Sequence, residues 1–460
     1  MHLKKYILLI LFFSLNSFGK QFPIAKKGFI DLSSWDFEKK GHIEVRGEWK
    51  FYPNKIINPK KDNLEVLFQN KTLIKFPGIW NNVKDPRNIK NEIDPNGYGS
   101  FLLKVKGIPN EKRMGLAIKR FFSSYDVFVI SGRGVQKMGG MGKVGMTKKS
   151  SVARHGPWEG QFSSPSKKGK TFFILINSSN YRHRGGGLTE EGMFLGLEKD
   201  IKPLIRNEES IKFLLIGIFI IMGLYHFSLF YQRNEDYVSL WFGLVLFSLG
   251  ARLFFNNSYL DNFLTNSGNL QFLFNRRLEY ISVFCFNPAL IGYIQSLFPS
   301  FMPKNVLRIN LIVSLLAVIF IIFTEPITFS ITLPIMWVQA FICLAIAIYV
   351  LARESLRNKD YSVTFLLSFI VCFSGAIHST WTTEHILRSS DWLCILGFLF
   401  VLIQGHIHSK NFSTVLKKVD RLPDNFEGDT NVQPIISISH NRRALSSEKE
   451  KDTSKQIVSL

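Results

Sequence analysis

Seven long apolar stretches follow one another between residues 211 and 408, separated by short polar loops, and a soluble fold has no place to bury so many in succession. Their cores are Ile211–Tyr231, Val238–Phe255, Tyr280–Phe298, Asn305–Thr324, Thr332–Ala352, Tyr361–Thr380 and Trp392–His408. Each holds roughly the 17–25 residues that a helix needs to cross about 30 Å of hydrocarbon. The pattern predicts seven membrane-spanning helices.

Three features give the spans a direction. Met1–Gly19 opens with Lys4 and Lys5, runs through an apolar YILLILFFSL and ends in small or polar residues. That is the composition of a signal peptide, with cleavage expected after Gly19. If the following domain is exported, the loops after spans one, three and five and the tail face inward. The residues flanking those loops hold ten Lys/Arg, against three (Arg276, Arg277 and Arg388) on the outward side. This is the excess that cytoplasmic loops carry. The odd number of spans agrees, putting the N-terminal part outside the cytoplasmic membrane and the C-terminus inside.

From residue 20 to 205 the periodicity changes to two. Ile43, Val45, Trp49 and Phe51 share one parity, and Phe101, Leu103 and Val105 repeat it. Short apolar runs (MGLAIKRF, YDVFVISG, TFFILINSS, MFLGLE) alternate with turn signals such as DPNGYG and SPSKKGK. Many short strands joined by Gly- and Pro-rich turns fit a two-sheet sandwich or jelly roll. The fold class is therefore an all-β sandwich followed by an all-α transmembrane domain. The expected division is a signal peptide (1–19), a β-sandwich (20–205), seven helices (206–410) and a short, largely disordered tail (411–460).

The net charge of +22 does not point to nucleic acid. Between Lys20 and Ser210 there are 35 Lys/Arg and 19 Asp/Glu, but they are scattered along strands rather than gathered on one helix or ribbon. Outside the cell such a surface meets anionic lipid headgroups, polysaccharide or acidic solutes. The four cysteines, Cys285, Cys343, Cys372 and Cys394, all fall inside predicted spans. An exported domain must then be held by its core without disulfides.

Candidate site residues are few. Arg182, His183 and Arg184 precede Gly185–Gly187, a run that can form a basic recess for an anionic or polyhydroxylated ligand or, equally, a tight turn with solvated side chains. Trp35, Trp80, Tyr98, Trp158 and Tyr181 can stack on a sugar ring or simply pack in the core. In the spans, His226, Arg252, Glu279 and His378 are polar at membrane depth, where burial is costly and function is the usual reason for it. No carboxylate lies near a span centre, no pair of spans is broken by Gly and Pro, and the seventh span holds no lysine for a retinal Schiff base. Coupled transport and rhodopsin-like photochemistry are thereby disfavoured. Nothing calls for an enzyme, a cofactor or a metal. The tail, about fifty charged and poorly patterned residues, is too short for a catalytic domain.

Residues 43–51 (IEVRGEWKF), 97–105 (GYGSFLLKV), 125–135 (YDVFVISGRGV) and 175–187 (LINSSNYRHRGGG) come in a recognisable order. They are followed by 215–230 (LIGIFIIMGLYHFSLF), Arg233 and 238–252 (VSLWFGLVLFSLGAR). In this order and spacing the chain resembles the bacterial seven-transmembrane receptors with diverse intracellular signalling modules. Within them it is similar to those whose extracellular domain is a jelly roll likened to carbohydrate-binding modules. The resemblance implies a sensor: a small ligand, carbohydrate or related solute, binds outside and the helices pass the change to a cytoplasmic output. Asn180, Arg182, His183 and Gly186 match the family's loop and become candidate ligand contacts; the residues add Arg184, Trp158 and Tyr98. The chain departs from the family pattern in showing no output module, so a separate cytoplasmic signalling partner is expected. The alternative is a non-signalling membrane protein that binds envelope polysaccharide or assists its assembly or transport.

Overall fold

The computed structural model describes residues 22–407 apart from 70–71, 86–87, 110–111, 123, 165–170, 189–191, 264–267, 300–301, 358–362, 364, 372–373 and 376–395. The predicted signal peptide, the tail, His378 and much of the last two predicted spans lie outside the described residues.

The main strands of the N-terminal half are β1 (Arg46–Pro53), β2 (Leu73–Phe76), β3 (Gly97–Lys106), β4 (Arg113–Ile118), β5 (Ser124–Ser131), β6 (Gly134–Met141), β7 (Trp158–Ser163), β8 (Phe172–Asn180) and β9 (Met193–Leu197). One sheet has the order Ile24–Ala25, β1, β3, β8, β5, β6, with Phe29–Asp31 added on β3 and β2 on β1. The second has the order β7, β4, β9, Ile43–Glu44. This is a jelly-roll-like sandwich, and the alternation seen in the sequence builds its core. Trp49, Phe51, Phe101, Leu103, Val105, Ile174 and Ile176 of the large sheet meet Met114, Leu116, Ile118, Leu195 and Leu197 of the small one.

β8 departs from simple alternation, for all nine of its residues are buried. Phe172, Ile174 and Ile176 face the main core. Phe173 and Leu175 join Leu102, Tyr52, Ile57 and Leu64 in a second cluster on the outer face. The segment that carries Ile57 and Leu64 covers the sheet from outside, which is why FFILI is an unbroken apolar run.

The membrane half begins without a linker. Helix α1 (Glu198–Gln232) starts at the residue after β9 and continues for 35 residues through Pro203. At about 1.5 Å per residue it is some 50 Å long, so its first three turns stand outside a 30 Å hydrocarbon layer. This outer end rests on the sandwich. A Cβ at Gly115 of β4 would lie 2.8 Å from Cβ of Ile201, so the sheet accepts the helix only where a side chain is missing. The joint between the sandwich and the membrane half is a continuous helix.

Then come α2 (Tyr237–Asn256), α3 (Asn269–Leu297), α4 (Lys304–Phe323) and α5 (Leu333–Arg357). Among the described residues five helices are long and apolar enough to span, and Leu396–Ile407 adds a shorter apolar helix. These correspond to the first five predicted spans and the end of the seventh. α3 differs from expectation. Hydropathy places its start at Tyr280, yet the helix begins at Asn269 and carries Arg276, Arg277 and Glu279 within it. These charges are compatible with the helix because Arg276 and Glu279 pair on one face, Nη1 to Oε2, at 2.6 Å. α3 is also the most enclosed helix, 67% buried across its apolar window against 17% for α4, whose aliphatic side chains face the lipid.

Candidate functional site

The loop after β8 is built around Asn180. Its side chain is fully enclosed and its Nδ2 donates to the carbonyls of Pro95 at 3.0 Å, His183 at 2.7 Å and Gly185 at 3.3 Å. Its Oδ1 accepts from the backbone N–H of His183 at 3.1 Å and of Arg182 at 3.4 Å. Asn180 is thus spent on holding the loop in shape. Gly186 is required sterically, since a Cβ there would come within 2.2 Å of the Trp80 indole, itself a buried core residue. Arg182, His183 and Arg184 are half-buried at the loop surface. Tyr98 and Trp158 are half-buried on other strands; Trp158 packs edge-on against Tyr125 of the core.

The His183 ring lies flat on Phe122, centroids 3.8 Å apart, and Phe122 stacks in turn on His155 at 5.4 Å. His155 belongs to a second loop, residues 142–157, which the sequence marks only as glycine-containing. This loop carries the contact with the membrane helices. Asn269, the first residue of α3, accepts from the Ala153 N–H at 2.9 Å and donates to the Ser151 carbonyl at 3.2 Å. Arg154 pairs with Asp261 between α2 and α3 at 3.4 Å, and Lys148 with Glu325 after α4 at 2.6 Å. Beside them Lys119 bridges to Glu208 of α1 at 2.6 Å. Every one of these partners lies at the ends of helices that the topology puts outside.

The contacts differ in worth. Lys148 and Glu325 are both about half exposed, 48% and 52%. Such pairs contribute about 0–1 kcal/mol. Lys148→Gln is therefore expected to leave unfolding of the full chain unchanged. Asn269→Leu removes two hydrogen bonds to loop backbone and is expected to expose residues 143–155 to trypsin in intact, detergent-solubilised protein. Equal protease sensitivity of the two variants would contradict this ranking.

Burial pushes the His155 imidazole far towards its neutral form, and Arg276, Arg120 and His183 nearby push the same way. Burial likewise lowers His183, to about 3, with the Gly185 backbone opposing and Arg276, Arg184 and Arg120 assisting. An unfolded chain binds a proton on each ring near pH 6.5. Their contribution to stability is therefore complete above that pH and is lost as pH falls below it, by up to about 1.4 kcal/mol per unit for one fully buried imidazole. His155→Phe is expected to reduce the loss in unfolding midpoint between pH 7.5 and 5. An unchanged slope would exclude His155 as its source.

Of the polar residues predicted inside the spans, His226 is buried against the edge of Phe242. Arg252 is half-buried on α2, and Glu279 is paired as described. The structure adds polar contacts that hydropathy hides. Gln339 of α5 donates to Asn310 and Ser314 of α4, each at 3.2 Å. Tyr293 of α3 donates to Gln404 at 3.1 Å, and Gln404 to Ser368 at 2.7 Å. Amide side chains flanked by leucine and phenylalanine at helical spacing were the available signal.

Residues 208–409 match the family described as 7TM diverse intracellular signalling. The membrane half is a domain of that family, and the protein is a multi-pass inner-membrane protein with its β-sandwich outside the cytoplasm. No curated protein matches the chain. Among solved structures it is similar to a Faecalibacterium prausnitzii β-glucuronidase, with 17% identity and a TM-score of 0.22 over 31% of this chain and 21% of that one. A putative β-galactosidase from Bacteroides fragilis gives 13% and 0.22 over 34% and 22%. The matched part thus spans about a fifth of each of those chains.

Proposed function

We propose that the protein is a membrane receptor in which the β-sandwich takes up a small extracytoplasmic ligand, a carbohydrate or related solute. The helices then transmit the change to a separate cytoplasmic partner. The observation that carries this reading is a continuous path of contacts. It runs from the Asn180-anchored loop through the His183–Phe122–His155 stack into the 142–157 loop, and from there to the outer ends of α2, α3 and α4. A ligand that prefers one position of the Arg182–Arg184 surface shifts the equilibrium by its difference in affinity for the two positions. With α1 rigidly continuous from β9, such a shift reaches the helices without a flexible linker to absorb it. Division at about residue 205, with a cytoplasmic tail from 411, belongs to the same proposal.

The full chain in nanodiscs is expected to bind at least one member of a panel of soluble oligosaccharides and acidic solutes, and Arg182→Ala with His183→Ala to weaken that binding. In cells, photocrosslinkers placed in residues 411–460 are expected to capture a kinase or cyclase subunit. Capture of envelope-assembly proteins alone would replace the signalling reading with a role in polysaccharide handling.

A further inference from the structure

We propose that the tip of the 142–157 loop, residues 143–149, is a contact site for the outer leaflet of the membrane. Met146 enters the boundary between headgroups and acyl chains, while Lys143, Lys148 and Lys149 meet the phosphate groups of anionic phospholipids.

The depth of the tip follows from α4. The apolar window Asn305–Phe323 holds 19 residues. At about 1.5 Å per residue it measures about 28 Å, close to the thickness of the hydrocarbon layer. Phe323, 82% exposed, thus marks the outer edge of that layer. Glu325, two residues further on, stands among the headgroups, and Lys148 Nζ lies 2.6 Å from its Oε2. The ion pair sets the loop tip at the same level.

The tip has a defined shape. At its base Lys143 and Val152 exchange backbone hydrogen bonds, at 2.8 and 3.0 Å. The Gly145 N–H donates to Ser179 Oγ at 3.1 Å, and that hydroxyl sits in a buried cluster with Ser124 at 2.8 Å and Ser151 at 3.1 Å. Beyond the base, Thr147 and Ser150 lock each other: the N–H of each donates to the other's hydroxyl, at 3.1 and 3.2 Å. The Ser151 N–H closes the turn on the Thr147 carbonyl at 3.0 Å. Lys148 and Lys149 form the exposed apex, and Met146 beside them is 60% exposed. One apolar side chain among cations, presented on an ordered turn at the edge of the hydrocarbon, is the composition of an interfacial contact. An unbranched thioether adapts readily to irregular surroundings such as lipid. Glu325 offsets one of the three lysines, and the exposed Lys143 and Lys149 favour anionic over zwitterionic headgroups. The site rests on the topology alone and is independent of the ligand assigned to the Arg182–Arg184 surface.

The test places a benzophenone amino acid at position 146 of the full chain, in nanodiscs of equal parts phosphatidylglycerol and phosphatidylcholine at low salt. Lipid adducts on the labelled peptide are identified by mass spectrometry. Phosphatidylglycerol adducts are expected to exceed phosphatidylcholine adducts by about fivefold or more, the factor that one lysine near an anionic surface supplies. Lys143→Gln, Lys148→Gln and Lys149→Gln together are expected to bring that ratio towards one. All three side chains are exposed, so the variant is expected to fold as the parent does. The control position is Val66, 61% exposed beside Glu65, which pairs with Lys104 at the opposite end of β3 from the Asn180 loop. The same label there is expected to capture little lipid. No lipid adduct at position 146, adducts to protein alone, equal capture at position 66, or a ratio near one in the parent overturns the assignment.

Discussion

Arg276→Met is expected to destabilise the full chain by about 3–5 kcal/mol, the usual cost of removing one partner from a buried ion pair. The Arg276 and Glu279 side chains are only 5% and 11% exposed. The substitution leaves the buried Glu279 carboxylate without this guanidinium. It also removes a donor from the Phe255 and Asn256 carbonyls at the end of α2, although the Phe255 carbonyl keeps the Ser258 N–H at 3.0 Å. The measurement is unfolding in mixed micelles, read by helical circular dichroism. Adding Glu279→Gln to Arg276→Met is expected to recover part of the loss, because a neutral amide is cheaper to keep buried than a carboxylate. A single variant within about 0.5 kcal/mol of the parent would show that the pair is dispensable.

Asn180→Leu is the second large effect, about 2–4 kcal/mol, from the loss of five hydrogen bonds at a fully enclosed side chain. Its consequence is local before it is global. Without the clamp, the His183 ring is no longer held against Phe122, and trypsin gains access to the bonds after Arg182 and Arg184. Asn180→Asp keeps the two acceptor interactions but turns a carboxylate oxygen onto the three carbonyls that Nδ2 serves, so it is expected to destabilise at least as much as Asn180→Leu. Cleavage at the parent rate in Asn180→Leu would mean that the loop is held by something other than this side chain. Together the two substitutions separate the ends of the proposed path: Asn180 governs the loop that meets the ligand, Arg276 the helix ends that receive the motion.

Particular residues show how much of this was legible. The apolar windows of α1, α2, α4 and α5 and the parity of Trp49 with Phe51 can be read directly, because burial periodicity and span length are local properties of the chain. The glycine-rich loop after β8 is equally visible. The roles within it are not. Asn180 and Arg182 both match one motif, yet one is enclosed and saturated with bonds while the other stands at the surface. Which of them is enclosed depends on Pro95, Gly185 and Trp80 arriving from elsewhere. Residues 143–155 carry no periodicity and no strong motif, and their importance lies entirely in the partners Asp261, Asn269 and Glu325, all more than a hundred residues away. The same holds for the start of α3. A hydropathy window stops at Arg276 and Glu279, whereas the helix continues because those two charges face each other one turn apart.

Residue order alone is enough for the two-part architecture, the direction of the chain through the membrane and the absence of a lysine in the seventh span. Each follows from composition within a few tens of residues, so no knowledge of distant contacts is needed. That the sandwich stands directly on the helix ends, that α1 runs unbroken from the last strand, and that the 142–157 loop meets Asp261, Asn269 and Glu325 emerges only from the folded arrangement. Charges scattered along a sequence carry no sign of their neighbours. Their energies depend on distance and on how much water is left between them, and folding alone sets both.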